Sequence, residues 1–154
     1  MKPKEYLQRV AHAEREIRTL KAKVAHFEDL GLRITTASGD AHIRPSTPSS
    51  RVETAAVGIV DALEDINANL RAYAVIVSDA EKLIRKVPQE NYRRILTLRY
   101  LCGWKLPKIG EELRYTDRNS IYRAHGWALL EFGKVLRAEG GAADDRGRPD
   151  QVDS

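Results

Sequence analysis

The stretch VETAAVGIVDALEDINANLRAYAVIVSDAEKLIRKV, residues 52–87, decides the architecture. Its apolar positions Val52, Ala56, Ile59, Leu63, Ile66, Leu70, Tyr73, Val77, Ala80, Ile84 and Val87 alternate by four and three without a break. That alternation holds one narrow apolar seam on a helix, the pattern of a coiled coil. No proline interrupts it, and Gly58 weakens only one turn. The spacing predicts a single helix over 51–86, about 54 Å long at 1.5 Å per residue. A seam of this length cannot stay in water, so a partner helix is required.

The chain supplies one upstream. Tyr6, Val10, Ala13, Ile17, Leu20, Val24 and Phe27 repeat the same 4-3 spacing among charged neighbours, and the seam extends to Ile34. Between the two lies 35–50, TTASGDAHIRPSTPSS, rich in Ser, Thr and Pro and without periodicity, which reads as a mobile linker. Helices of similar length joined by a long linker fold back as an antiparallel hairpin. Beside the second seam Ala55, Ala62, Ile76 and Leu83 recur every seven residues, with Asn69 as the polar member. This widens the apolar stripe beyond one partner helix and favours two hairpins in a homodimer, with Leu63, Ile66, Leu70, Tyr73 and Val77 as the oligomerisation residues. A lone hairpin with alanines on its shoulder is the alternative.

Downstream, Pro88 ends the long helix. A helix over 89–101 carries Tyr92, Ile95, Leu96 and Leu98, and Gly103 is its left-handed stop. A short helix over 105–113 turns Leu106, Ile109 and Leu113 inward, with Pro107 tolerated in its first turn. Thr116 or Asp117 can cap a last helix over 118–137, whose apolar face holds Ile121, His125, Ala128, Phe132 and Val135. Residues 139–154 are polar, glycine-rich and acidic, and disorder is expected there. The expected organisation is all-α: a first coiled-coil helix over 1–34, a linker over 35–50, a second coiled-coil helix over 51–87, a helix-turn-helix domain over 88–138 and the tail 139–154.

Composition narrows the function. The chain has 154 residues, of which 42% are hydrophobic, 31% charged and 6% aromatic, which suits a helical protein better than a β-sandwich. Cys102 is the sole cysteine, so no intrachain disulfide forms, and His12, His26, His42 and His125 offer no zinc-ligand spacing. No metal or cofactor is expected. Nor is an enzyme, because no phosphate-binding glycine loop, nucleophile elbow or acid–base pair is present and Glu111-Glu112 stands alone. Every stretch free of Lys, Arg, Asp and Glu is far shorter than the ~18–20 apolar residues of a membrane span, and the charged amino terminus lacks a signal-peptide core. A cytoplasmic protein without membrane or small-molecule partners is expected.

Charge is unevenly placed. Residues 88–138 hold ten Lys/Arg against five Asp/Glu, and residues 139–154 hold two against five. A basic block of this kind suits phosphate neutralisation. Within it, short helix, turn and longer helix form the helix-turn-helix arrangement, whose second helix reads bases in the major groove. Arg118, Asn119, Ser120 and Arg123 are the candidate base contacts, following Asp117: Arg forks onto guanine, Asn onto adenine, and Ser pairs with either. Arg93, Arg94, Arg99, Lys105 and Lys108 are the candidate phosphate contacts. The competing reading is a three-helix module with a merely solvated basic face. His125 reads as a packed, hydrogen-bonded core residue and Cys102 as a small buried hydrophobe. Trp104 and Trp127 suit stacking on nucleic acid, core packing or a protein contact equally.

The run 92–136, YRRILTLRYLCGWKLPKIGEELRYTDRNSIYRAHGWALLEFGKVL, resembles the helix-turn-helix of sigma factor region four. More closely, it resembles the small phage and prophage transcriptional regulators of the RinA and ArpU kind. The matching residues are Arg99-Tyr100, Gly103, Ile109-Gly110-Glu111-Glu112-Leu113, Tyr115-Thr116 and Tyr122-Arg123-Ala124-His125-Gly126-Trp127-Ala128-Leu129. Two departures stand out: Arg114 where that group often has glycine, and one extra residue between Tyr115 and Tyr122. The resemblance implies a phage-encoded regulator of late genes that binds double-stranded DNA in the bacterial cytosol and acts on transcription, with RNA polymerase as a possible partner. A phage small terminase subunit, or a coiled-coil adaptor for RNA polymerase, are the alternatives.

Overall fold

A computed structural model describes residues 1–40 and 48–145, with side-chain surroundings for 1–34 and 51–140. The described residues form five α-helices and no strand: α1 Pro3–Asp40, α2 Pro48–Arg85, α3 Glu90–Leu96, α4 Leu106–Glu112 and α5 Arg118–Asp145. None is long and apolar enough to cross a membrane. Contacts divide the chain into two units, one of Met1–His12 with the residues from Ile76 onward, the other Ala13–Val75.

In the Ala13–Val75 unit the two periodic seams carry the burial. Ala13, Leu20 and Ile66 are buried, while Ile17, Val24, Phe27, Val52, Ile59, Leu63, Leu70 and Tyr73 are half-buried. Ala56 departs from the pattern and is exposed. Helix also covers both edges of the segment read as linker, reaching Asp40 from one side and starting at Pro48 on the other. The reason is local: the residues after Ile34 include no proline before Pro45, and a proline at a helix start gives up no hydrogen bond. Residues 41–47 lie outside the described ones.

The other unit has two adjoining cores. In the first, Leu7 of α1, Ile84 of α2 and Val87 just beyond it, Leu96 at the end of α3, Tyr100 after it, and Ala128 and Phe132 of α5 come together. Gly133 permits this approach, since a Cβ there would stand 3.0 Å from the Pro3 ring. The start of α1 lies beside the end of α2, with Tyr6 and Val10 sharing a small cleft with Ile76 and Asp79. The second core joins Ile95 of α3, Ile109 of α4, and Ile121 and Ala124 of α5, flanked by Tyr92, Leu98, Trp104, Leu106, Leu113 and Tyr115.

Three local features differ from expectation. Helix α3 does not run uniformly to Leu101: Thr97–Leu101 forms a π-helical turn, closed by the Cys102 amide donating to the Thr97 carbonyl at 3.1 Å. Cys102 is exposed rather than buried, because it leads into the left-handed Gly103 (φ 75°), where the chain leaves the core. Helix α5 continues to Asp145, so the first part of the segment expected to be disordered is helical; residues 146–154 lie outside the described ones.

Candidate nucleic-acid interface

Helices α4 and α5 are joined by a turn whose hydrogen bonds define it. The Arg114 amide donates to the Glu111 carbonyl at 3.2 Å and the Tyr115 amide to the Gly110 carbonyl at 2.8 Å, a Schellman ending. It places Arg114 in the left-handed region, φ 61°, a conformation that costs an L residue about 1 kcal/mol more than glycine. Four residues later, at Arg118, α5 begins, and Asp117 is its cap. Its Oδ1 accepts the Asn119 amide at 3.2 Å, and its carbonyl accepts the Ser120 amide at 3.1 Å. Gly110 lets α4 rest on α5: a Cβ there would stand 3.3 Å from Ile121 Cβ and Cγ2.

This packing fixes which side of α5 faces out. Ile121, Ala124 and Ala128 are buried, so Arg118, Asn119, Tyr122, Arg123 and Gly126 are left exposed. Arg123 Nη2 stands 3.6 Å from Asp117 Oδ2, an exposed pair that orients the guanidinium over the first turn. Such a pair contributes little stability and yields readily to a stronger anion. Ser120 is half-buried on the flank. There it lines, with Tyr92, Tyr115, Arg123 and Trp127, a groove of about 580 Å³ between the starts of α3 and α5.

The five basic residues read as phosphate contacts fall into two groups. Arg94, Lys105 and Lys108 are exposed, the Lys108 ammonium sitting 4.0 Å from the centre of the Trp104 ring. Arg93 and Arg99 are half-buried and engaged internally. Arg93 Nη1 donates to the carbonyls of Val87 (2.6 Å) and Pro88 (2.9 Å), closing the end of α2. Arg99 Nη1 donates to the Trp104 carbonyl at 3.1 Å, holding the loop before α4. These bonds satisfy backbone carbonyls in the connections before α3 and before α4.

His125 belongs to the scaffold. Its Nε2 shares a 2.8 Å hydrogen bond with the Tyr100 hydroxyl, and the rings stack with centroids 5.8 Å apart. Burial lowers the imidazole pKa from its ordinary 6.5, and the Arg99 and Lys4 charges add to the effect; burial also raises the Tyr100 hydroxyl. No cluster of His, Cys, Asp and Glu suited to a metal occurs among the described residues. Ile66 and Val77 are buried, and Leu63, Leu70 and Tyr73 half-buried, within the single chain, so its own packing already covers most of that row.

The exposed apolar side chains of α5 are a feature that periodicity alone passes over. Tyr122 is 50% exposed, Trp127 54% and Leu130 64%. Their signal is positional, since Leu130 falls opposite Ile121, Ala128 and Phe132 on the helix and Tyr122 and Trp127 lie on either side of it. No protein-family model, curated protein or solved structure matches the chain.

Proposed function

We propose that this protein is a sequence-specific regulator of transcription that binds double-stranded DNA through α4 and α5, as in a sigma region-four-like helix-turn-helix. In this reading α1 and α2 form an antiparallel coiled-coil hairpin that brings two copies together. One observation carries it. A three-helix core with a tight α4–α5 contact at Gly110 buries one side of the first two turns of α5, and the outer side of those turns presents Asn119, Arg118 and Arg123. Amide and guanidinium groups there match the donor and acceptor pattern of adenine and guanine edges. Arg94, Lys105 and Lys108 supply sequence-blind attraction to phosphates, while Arg93 and Arg99 hold the scaffold. The likeness to phage regulators of the RinA and ArpU kind makes late genes the proposed target. The exposed Trp127 and Leu130, which lie beyond the first two turns, favour a protein contact, such as RNA polymerase, made from the same helix.

Selection of binding sites by the full chain from a pool of random duplexes tests the proposal. The expected result is one enriched motif, repeated as two half-sites about 34 Å apart or a multiple of that spacing. Absence of enrichment together with binding indifferent to salt would overturn it.

A further inference from the structure

The outer face of α2 in the Ala13–Val75 unit carries exposed apolar side chains among its charged ones. Val57 is 60% exposed, Val60 53% and Val75 59%, and Ala68 and Ala72 are exposed between them. These residues share a stripe with Asp61, Glu64 and Arg71, all exposed, and none of the three has an ion-pair partner among the described residues. On a helix, positions seven apart lie nearly in line, so Glu64 and Arg71 face the same way.

We infer that this stripe is the homodimer interface, in which α2 of one protomer lies antiparallel against α2 of the partner about a two-fold axis between Asn67 and Ala68. The inference rests on the dimeric reading above and supplies its surface. Charge decides both the occupant and the direction. About that axis Glu64 of each protomer meets Arg71 of the other, and Val60 meets Val75, so every contact appears twice, as an isologous interface demands. A parallel pairing would set Glu64 against Glu64 and Arg71 against Arg71, with like charges opposed at both positions. The alanine at the centre lets the helix axes come as close as about 8 Å, the near end of the usual 8–10 Å range. From Val60 to Val75 the contact runs about 22 Å. The row from Leu63 to Val77 then holds each chain together, and a different face of the same helix joins the two copies.

Cysteine cross-linking and charge exchange in the full chain test this. With the exposed Cys102 replaced by serine, Ala68→Cys should link two chains on mild oxidation, because the two copies of residue 68 flank the axis. Val57→Cys should not, since its copies lie about 32 Å apart. Glu64→Arg or Arg71→Glu alone should weaken dimerisation about tenfold or more, and the two together should restore it. All these positions are exposed, so the chain stays folded, which its helical circular dichroism would register. A dimer that links through residue 57 as readily as through 68, or one indifferent to both charge reversals, overturns this interface and leaves the dimeric regulator standing. A mass of 17.4 kDa at every concentration overturns the dimer and the interface together.

Discussion

Arg114 shows how a single residue carries a cost imposed by its position. The turn between α4 and α5 needs a left-handed residue, and an arginine occupies it at φ 61°. Arg114→Gly should therefore raise stability by up to about 1 kcal/mol, part of the gain being offset by the freer unfolded chain. Urea unfolding of the two proteins measures this; a variant less stable than the parent would show that the arginine side chain makes a compensating contact. His125 makes a second residue-scale prediction. Its folded pKa lies below 6.5, so between the two values the unfolded chain binds more protons than the folded one. Stability from the neutral imidazole is complete above about pH 6.5 and is lost as pH falls towards the folded pKa. Thermal unfolding should show this loss in the parent, and His125→Gln should flatten it; parallel curves for both proteins would contradict the assignment.

At the scale of elements, the cores make α5 the common member. Its first turns pack on α3 and α4 through Ile121 and Ala124, and its middle packs on the ends of α1 and α2 through Ala128 and Phe132. Phe132→Ala should cost about 3–5 kcal/mol by leaving a cavity among these helices, read as a lower unfolding midpoint. Gly110→Val should cost about 1–3 kcal/mol by forcing α4 off Ile121, and binding to DNA should weaken with it. Asp117→Ala should remove the cap, about 1 kcal/mol, and release Arg123. Much of this arrangement was legible in the sequence. The 4-3 spacing marks the buried rows of α1 and α2, Pro88 and Gly103 mark ends, and Ile95, Ile109 and Ile121 mark the second core. What stayed hidden depends on tertiary neighbours. Neither residue type nor periodicity says that Arg93 and Arg99 will turn to backbone carbonyls, because those carbonyls, five or six residues away, are brought within reach by the connection after α2 and the loop after the π-helical turn. The π-helical turn itself has no compositional signature. Cys102 has a hydrophobe's composition, yet the backbone at Gly103 carries it outward. Val57, Val60 and Val75 look like core residues in a linear string, and only the burial of the opposite row leaves them at the surface.

For the whole molecule, the proposed function assigns DNA binding to the unit with two cores and the joining of two copies to the Ala13–Val75 unit. Phosphate attraction is expected from Arg94, Lys105 and Lys108, and discrimination from the outward first turns of α5. The two contributions separate experimentally. Arg94→Ala or Lys105→Ala should weaken cognate and random DNA alike and reduce the salt slope by about one each, because each removes a charge that sees no sequence. Arg118→Ala removes a charge and a base contact together, so it affects both kinds of DNA. Asn119→Ala removes no charge and, on the outward face of α5, touches no core. It is therefore the cleanest probe of the central claim. Titrating a selected duplex and a random one with parent and Asn119→Ala, followed by fluorescence anisotropy, should show a loss of about 1–3 kcal/mol on the selected site and none on the random duplex. Equal affinities of Asn119→Ala and parent for both duplexes, with Arg118→Ala and Arg123→Ala also failing to discriminate between them, would contradict the claim that this helix reads DNA.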